Sequence, residues 1–473
     1  MSRYMLWVIL VAVFLSGCAT YRPIPLTRQA VAGRLIGPDM KNIRIRAKEI
    51  KHPILKSIEF NDSDGLSPDE AAVLAVLANP RLRAIRDRQN IANAQLLQAG
   101  LLPNPRLSYG MDFPTGGETD ETVNAFGVGL NWDIGSLITH QAKVYAAQAS
   151  AGSVNLEIAW QEWQVAEAAK LHAYRLAIAE KLLALAKKIE AERRHARSII
   201  TNAVKLGEKT ALDLSTATNA WRQARLAVAA AEQQRQRERF ALNQTLGLAA
   251  DRVIPLQQDI NLPAWQNVPS TAMVVDEIEN RRLDLLALKV GYESQEARVR
   301  AAVKSQFPRI NIGLSNERDI DNVRTMGFGV TIELPFFNQN QGRIAIERAT
   351  RQQLFDEYTV RLFDAQSEIA RILSALQYTR DRFQTVEESI PALNRLVHSY
   401  KSAAEDGIVD ILTFYKALGN LYSSQIQSLI LKQQLAELGI ALEIATGRYL
   451  PASNIQSNAP SDSNQTAKKE VLK

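Results

Sequence analysis

Residue types that could do chemistry are sparse in this 473-residue chain. Its five histidines stand alone, and no pair has the four-residue spacing with which one helix face binds a metal ion. Six methionines are too few to line a path for a soft copper ion. Neither a Gly-x-Ser-x-Gly nucleophile elbow nor a phosphate-binding P-loop is present. We therefore predict a protein that is not an enzyme and needs no cofactor or bound metal; the histidines are His52, His140, His172, His195 and His398.

The clearest signal for a modification is Cys18, the only cysteine of the chain. Arg3 supplies a positive charge, residues 5–15 form a short apolar stretch, and small residues precede the cysteine. This arrangement resembles a bacterial lipobox, in which the cysteine becomes the lipidated first residue of the mature chain. A plain secretory signal with a chance cysteine would leave the complete pattern unexplained. We predict a signal peptide over residues 1–17 and acylation (palmitate) at Cys18, followed by Ala19, which resembles lipoproteins of the outer membrane.

The composition excludes some classes of function. The formal net charge is +6, with acidic and basic residues interspersed, and no stretch is basic enough to predict binding to nucleic acid. After the signal segment no apolar run reaches the roughly 18 residues that a membrane-spanning helix needs. The abundance of alanine, leucine and glutamine favours long helices. Isolated carboxylates such as Glu157, Glu162 and Glu167 are interpreted as exposed helix faces.

The chain contains an internal repeat of about 200 residues. Residues 127–134 match residues 327–334, and the turn glycines Gly207 and Gly407 are separated by the same offset. Further blocks match in the same order at nearly the same offset. Such self-similarity is the signature of a duplicated structural unit. We predict two copies of a unit made of a helix, two strands, a long helix and a returning helix.

Two short segments in each copy alternate between apolar and other side chains, as β-strands do. Polar loops over residues 115–121 and 317–322 separate the two strands of each copy. Aromatic residues near strand ends would suit a membrane interface, although an ordinary sheet with its polar side in water shows the same alternation. The apolar positions, with these aromatic residues, are Leu107, Tyr109, Met111, Phe113, Phe126, Val128, Leu130, Trp132, Ile134, Ile310, Ile312, Leu314, Met326, Phe328, Val330, Ile332, Leu334 and Phe336.

Four strands cannot close on themselves in a membrane. Every backbone N–H and C=O within the bilayer needs a partner, and the smallest closed barrels use about eight strands. If these strands span a membrane, several chains must share one barrel, and three chains would supply twelve strands. The predicted fold class is an α+β membrane protein, internally duplicated, with long α-helical hairpins and four β-strands per chain contributed to a shared transmembrane β-barrel.

Two long segments predict helices far longer than those of an ordinary domain. Residues 137–205 contain no proline, and a helix of this length spans roughly 100 Å. Residues 341–406 carry two rows of mostly apolar residues seven apart, which favours coiled-coil packing. Pro391 should kink this second helix or break it in two. Each long helix should end at a glycine turn, Gly207 or Gly407, from which a second helix returns over residues 212–246 and 411–446.

The other segments flank the two copies of the repeat. We assign residues 18–65 to a lipid-anchored, extended N-terminal segment. The first copy occupies residues 66–250, a linker 251–270, and the second copy 271–450. Residues 451–473 are polar and low in complexity, which is typical of a disordered tail.

With these features the chain resembles the TolC-like outer-membrane efflux factors, over roughly residues 67–449. The resemblance rests on the lipobox, the duplication and two motifs beside the strands, residues 98–105 and 334–343. Both motifs look most like the branch associated with heavy-metal cation efflux. The family implies a homotrimer with a twelve-stranded barrel in the outer membrane and a helical tunnel across the periplasm. It further implies a passive, gated duct that meets a periplasmic adaptor (membrane fusion protein) and an inner-membrane pump, here expected to be of RND type.

The resemblance also assigns roles to the two hairpin turns. In the family, closure of the tunnel at its periplasmic end usually involves acidic residues in a pattern like Leu-Leu-Asp-Ala. This sequence has Lys416 at the aspartate position. Asp213 and Asp410 are alternative gate candidates, as a threefold ring of acids or as simple helix caps. The implied adaptor-docking residues are Lys205, Leu206, Gly207, Glu208, Lys209, Asp406, Gly407, Ile408 and Val409.

Two other functions stay open at this point. The same architecture would suit the outer-membrane duct of a type I protein secretion system. A structural envelope lipoprotein without a transport function would explain the coiled coils, but not the strands or the duplication. The transported substrate, small molecules or metal cations, is not indicated by any residue pattern.

Overall fold

A computed structural model describes residues 20–35, 37–61, 63–117, 121–258, 260–262, 268–406 and 408–449. Two compact units divide the chain after Pro38. The described part of the smaller unit contains the helix α1 (Arg28–Leu35). The predicted signal peptide, Cys18 and the predicted tail over 451–473 lie outside the described residues.

In the larger unit the order of elements repeats, as the internal duplication predicts. None of the helices in the described ranges combines the length and the apolar character that crossing a lipid bilayer requires. The N-terminal segment holds α2 (Met40–Lys48). The first copy consists of α3 (Pro68–Ala78), α4 (Pro80–Gly100), β1 (Arg106–Asp112), β2 (Ala125–Asp133), α5 (Leu137–Lys205) and α6 (Ala211–Leu246). The second consists of α7 (Thr271–Val275), α8 (Ile278–Arg281), α9 (Leu283–Lys304), β3 (Ile310–Arg318), β4 (Arg324–Ile332), α10 (Gln341–Glu405) and α11 (Ile411–Thr446).

The two copies end in the same way, which confirms the duplication. The returning helices α6 and α11 both stop at a glycine in the left-handed conformation, Gly247 (φ 69°) and Gly447 (φ 66°). A Cβ at Gly247 would lie 2.8 Å from the carbonyl oxygen of Ala78, and one at Gly447 would lie 3.0 Å from the Cα of Arg282. Glycine therefore lets each returning helix end directly against the start of its own copy.

The long helices follow the predicted boundaries closely. The structure confirms α5 and α11 as predicted, and α6 begins one residue earlier than predicted. The helix α10 continues through Pro391, so of the two outcomes predicted there, a kink or a break, the break into two helices is wrong. Ile390 and Leu393 pack against the apolar cluster that contains Tyr415 and Leu418 of α11. This packing stabilises the helical backbone on both sides of the proline.

The core lies where the short helices of each copy pack on the long ones. In the first copy Leu74, Leu176 and Leu246 belong to one buried cluster, and the second copy has an equivalent cluster between α8, α9, α10 and α11. A third cluster surrounds the fully buried Trp163 and includes Leu283 at the start of α9. The two copies therefore pack on each other through α5.

The sequence predicts an extended N-terminal segment, but part of this segment is helical in the structure. Asp39 caps α2 with its side chain, and Ile43 and Ala47 are buried against the core of the first copy. Nε2 of His52 lies 3.0 Å from the carbonyl oxygen of Ala159 in α5. A helix forms here because two apolar residues one turn apart find a core to pack against.

The four strands form one antiparallel sheet in the order β1-β2-β3-β4. The strand β3 is longer than predicted, because Glu317 and Arg318 continue the ladder opposite Thr325 and Arg324. The predicted loop over 317–322 therefore begins at Asp319. The outer sides of β1 and β4 have no strand partner among the described residues.

The two faces of the sheet differ as the alternation predicts. Leu107, Met326 and Phe328 are 74%, 81% and 70% exposed on the apolar face. On the other face side chains crowd together: a Cβ at Gly313 would lie 2.5 Å from Oδ1 of Asn131. Glycine permits this close approach because it carries no side chain.

Candidate functional site: the hairpin tips

The first tip joins α5 to α6 through a glycine turn. Gly207 adopts φ 77°, which glycine reaches without steric cost. The N–H of Glu208 donates to the carbonyl oxygen of Ala203 at 2.9 Å and so satisfies one free carbonyl at the end of α5. The predicted docking residues from Lys205 to Lys209 therefore form a compact, hydrogen-bonded turn.

Asp213 is engaged within this first tip. The backbone N–H and the hydroxyl of Thr210 both donate to the carboxylate of Asp213, at 2.9 and 2.8 Å. The N–H of Asp213 donates back to the Thr210 hydroxyl at 3.2 Å. This reciprocal pair is a capping box for α6. Because the carboxylate accepts these hydrogen bonds, the pKa of Asp213 lies below its ordinary value.

The second tip repeats this arrangement between α10 and α11. Asp406 is the C-terminal cap of α10, and Gly407 lies outside the described residues. The N–H groups of Ile408 and Val409 both donate to the carbonyl oxygen of Ala403, at 2.8 and 3.2 Å. Asp410 caps α11 by accepting the N–H of the second residue of that helix at 3.3 Å. Both tips therefore end in an acid-containing cap of the returning helix.

One ion pair joins the two tips. Nζ of Lys209 lies 2.9 Å from Oδ1 of Asp410, with the side chains 28% and 45% exposed. The hydrogen bond from Lys209 lowers the pKa of Asp410, and the bond to Asp410 raises the pKa of Lys209. An exposed pair of this kind contributes little to stability and opens easily. The sequence predicts Lys209 for docking and Asp410 for a gate, and the structure brings them together.

The apolar side chains of the tips are unusually exposed. Leu206, Leu212 and Ile408 are 73%, 75% and 76% exposed, and exposed apolar side chains that cluster at a loop mark an interaction surface. Lys416 lies further along α11, exposed, without an ion pair among the described residues. In the part of the chain that the structure describes, no cluster of three or more His, Cys, Asp or Glu side chains could hold a metal ion.

A second group of charges lies buried where the two copies meet, and the sequence predicts it wrongly. Glu167 is fully buried rather than on an exposed face, and Glu162 is largely covered; only Glu157 is exposed. Nζ of Lys170 lies 2.8 Å from Glu443 and 3.5 Å from Glu167.

Burial sets the protonation of this group. Because burial disfavours a charged carboxylate, the pKa of Glu167 lies well above its ordinary value. Burial acts against the charge of Lys170 too, but Glu167 and Glu443 outweigh it and the pKa of Lys170 is raised. The ring of Tyr449 lies 4.6 Å from the ammonium nitrogen, a distance that suits a cation–π contact. The helical period alone does not reveal this cluster, because its burial depends on the packing of α11 against α5.

Comparison with known proteins agrees with this architecture. The cobalt-zinc-cadmium resistance protein CzcC of Cupriavidus metallidurans is 23% identical over 387 residues, which cover 81% of this chain and 90% of CzcC. Among solved structures, CusC matches with a TM-score of 0.68 at 17% identity, over 87% of this chain and 99% of CusC. VceC of Vibrio cholerae matches with a TM-score of 0.67 at 16% identity, over 81% and 96% of the two chains. These likenesses show a common fold.

The family model of the outer membrane efflux protein matches residues 72–248 and 274–448. These two ranges coincide with the two copies of the repeat, so the match covers both the helical hairpins and all four strands. The chain belongs to the outer membrane efflux protein family.

Proposed function

We propose that three copies of this chain form the exit duct of a tripartite efflux system in the outer membrane, with acylated Cys18 as a lipid anchor. The duct is passive and gated. A periplasmic adaptor and an inner-membrane pump, of RND type, select the cargo and supply the energy. In this arrangement residues 18–65 form the anchored segment, and the two copies, 66–250 and 271–450, are joined by the linker 251–270.

The open sheet is the observation that carries this proposal. Its outer strands β1 and β4 leave backbone groups unpaired among the described residues, and lipid offers no partners for them. Pairing of β4 with β1 of a neighbouring chain would satisfy both edges of the sheet, and three chains would close a barrel of twelve strands. The exposed apolar face then meets lipid, and the crowded face, with Gly313 against Asn131, lines the interior.

The helical hairpins supply the rest of the duct. The 69 residues of α5 correspond to roughly 100 Å, a length on the scale of the periplasm. The tips lie at the far ends of these helices, where the exposed Leu206, Leu212 and Ile408 would pack against the adaptor. A structural lipoprotein without a transport function would have no use for the amphipathic sheet.

The gate is proposed at the ion pair between the tips. Lys209 and Asp410 link the two hairpin tips of one chain, and the adaptor would separate the tips on docking. A threefold ring of Asp213 or Asp410 side chains stays a prediction. Both carboxylates already serve as helix caps within their own tips, which favours the alternative of simple caps. Lys416 would face the same entrance as a basic residue.

Metal cations are the proposed cargo, with other small molecules as the alternative. The name of CzcC, a cobalt-zinc-cadmium resistance protein, supports this choice, together with the motifs that resemble the heavy-metal branch. A type I secretion duct would share the architecture, and the identity of the pump distinguishes it.

The test is a crosslinked pull-down of the tagged protein from intact envelopes, read by mass spectrometry. We expect an adaptor and an RND pump with the wild type, and a loss of both with Leu206→Glu combined with Ile408→Glu. Val253→Glu is the matched control, because Val253 is 62% exposed in the linker, away from the tips. Recovery of only cell-wall or barrel-assembly proteins would contradict the duct, and an ATP-driven secretion pump would favour polypeptide cargo.

A further inference from the structure

A cavity of about 580 Å³ lies where the sheet meets the long helices. Its walls come from the ends of three strands and from α5, α9 and α10. Asp133 ends β2, Arg309 immediately precedes β3 and Glu333 immediately follows β4. All three line the cavity and continue the polar alternation of those strands. The cavity therefore opens on the polar face of the sheet, which lines the interior of the proposed duct.

Basic side chains outnumber acidic ones in this cavity, with five basic and three acidic residues in its lining. Two of the acids already have basic partners. Nε of Arg309 lies 3.8 Å from Glu333, and Nε of Arg343 lies 2.7 Å from Glu347. The third acid, Asp133, accepts the N–H of a neighbouring residue at 3.1 Å.

Three basic residues of the cavity remain without an acidic partner. Lys143, Arg298 and Lys304 come from α5 and α9 and make no ion pair among the described residues. Against them stands only the carboxylate of Asp133. The cavity therefore carries an excess of two positive charges. It is a concave site bordered by three helices and the sheet, and its three unpaired basic residues are exposed to solvent.

Two helix N-termini open into the same cavity and add to this positive potential. Ser136 and Asn340 begin α5 and α10, both line the cavity, and neither side chain caps its helix. In α5 the first N–H groups already donate to backbone carbonyl oxygens, Leu137 to Ile134 at 3.1 Å and Ile138 to Gly135 at 3.2 Å. The helices therefore contribute through their dipoles, which place partial positive charge at their N-terminal ends. At the tips, by contrast, Thr210 and Asp410 cap the returning helices.

From these three unpaired cations on one concave surface we infer that this junction is an anion-binding site for small oxyanions of the phosphate class. Lys143 and Lys304 supply point charges, and Arg298 supplies a planar fork of donors that suits a tetrahedral oxyanion. The dipoles of the two helices that begin at the cavity add to the positive potential around these side chains.

The site has a consequence for transport that rests on the proposed function. Three chains would place three such cavities around one conduit, where the barrel joins the helical tunnel. Rings of basic side chains favour anions in a pore. Metal cations would then pass this section only where bound oxyanions compensate its positive charge.

The test uses the full-length protein in detergent and inorganic phosphate as the probe, with the affinity measured by titration calorimetry. The cavity variant combines Lys143→Gln, Arg298→Gln and Lys304→Gln. The control removes the same number of charges from the exposed residues Lys41, Lys51 and Lys56 of the N-terminal segment. We expect the wild type and the control to bind phosphate, and the cavity variant to lose about tenfold in affinity. Equal affinity in all three proteins would overturn the site.

Two further measurements separate the possible sources of the oxyanion and the two proposals. An anionic phospholipid retained in native mass spectra by the wild type, and lost from the cavity variant, would identify a lipid headgroup at this site; no retained lipid with intact phosphate binding would identify the free ion. Conductance across planar bilayers tests the duct by itself. Phosphate binding without conductance in any variant contradicts the duct and leaves the site standing, whereas conductance without phosphate binding overturns the site alone.

Discussion

Among the ion pairs that connect the first copy of the repeat to the second, one lies at the buried junction and one at the tips. Their lengths are nearly equal, 2.8 Å for Lys170–Glu443 and 2.9 Å for Lys209–Asp410. Their surroundings differ: the junction side chains are 6% and 10% exposed, and those of the tips 28% and 45%. The contribution of these two ion pairs to stability therefore depends on the burial of their side chains and not on the distance between their charged atoms.

The difference follows from the medium around the charges. At the junction, Lys170 has little water around it, so loss of one partner would leave a buried charge without compensation. At the tips, water and salt screen the pair, and separation replaces one weak interaction with hydration. The junction is thus suited to hold the two copies together permanently, and the tips are suited to separate.

The largest expected effect is on stability and comes from the junction. Lys170→Met removes the ammonium group between Glu167 and Glu443, and we expect a loss of about 3–5 kcal/mol in the free energy of unfolding. Denaturant titration of the purified protein, followed by circular dichroism, measures it. The matched control is Lys209→Met at the tip, where we expect a far smaller change. If the two variants lost equal stability, the contrast between the regions would be wrong.

The second prediction concerns pH and the raised pKa of Glu167. The folded state holds the Glu167 proton more tightly than the unfolded chain, so its contribution to stability is fully present below the ordinary pKa of 4.5 and is lost as pH rises through the folded-state pKa. Glu167→Gln keeps the shape of the side chain but removes its titratable carboxyl group. We expect its thermal midpoint to fall less between pH 4.5 and 8 than that of the wild type.

Several neighbours of Glu167 bear on that measurement. Lys170, Glu443, Asp69, Tyr174 and Tyr449 all carry titratable groups within the same cluster. Burial raises the pKa of Tyr174 to about 12, so it does not titrate in this range. Parallel curves for the wild type and Glu167→Gln would show that another group accounts for the pH dependence.

The smallest expected effect on stability, but not on conductance, comes from the tips. Asp410→Asn removes the charge and keeps a good N-terminal cap for α11, so the thermal midpoint should stay close to that of the wild type. We expect a larger open fraction in planar bilayers, because the tips lose their ion pair. Lys209→Gln should have the same effect, and the double variant should add nothing further, since both remove one interaction.

Glu208→Gln is the control for the tips, because it removes a charge next to Lys209 from an exposed side chain without an ion pair among the described residues. Its open fraction should equal that of the wild type. A double variant with the summed effect of two independent changes would show that Lys209 and Asp410 do not act as a pair.

Local patterns in the sequence were sufficient to predict the strands and the long helices of this fold, but not the short helices of the N-terminal segment. The period-two alternation indicates four strands, and the two long helical segments are predicted to end at Gly207 and Gly407. The structure turns the chain at Gly207, and in the second copy α10 ends at Glu405 and α11 begins at Ile411. These signals are local, because a strand face, a cap or a left-handed turn depends on a few neighbouring residues. They fail where a partner intervenes, as at Pro391, where packing on α11 maintains the helix.

The burial of charge was decided only by tertiary structure. Glu157 and Glu167 lie on the same helix, yet one is exposed and the other fully buried, because α11 covers only part of α5. The partners Lys209 and Asp410 are 201 residues apart, and Lys170 and Glu443 are 273 apart. No local period records such contacts. The sequence by itself therefore determined the strands and the long helices, and the packing of the two copies decided which charges meet.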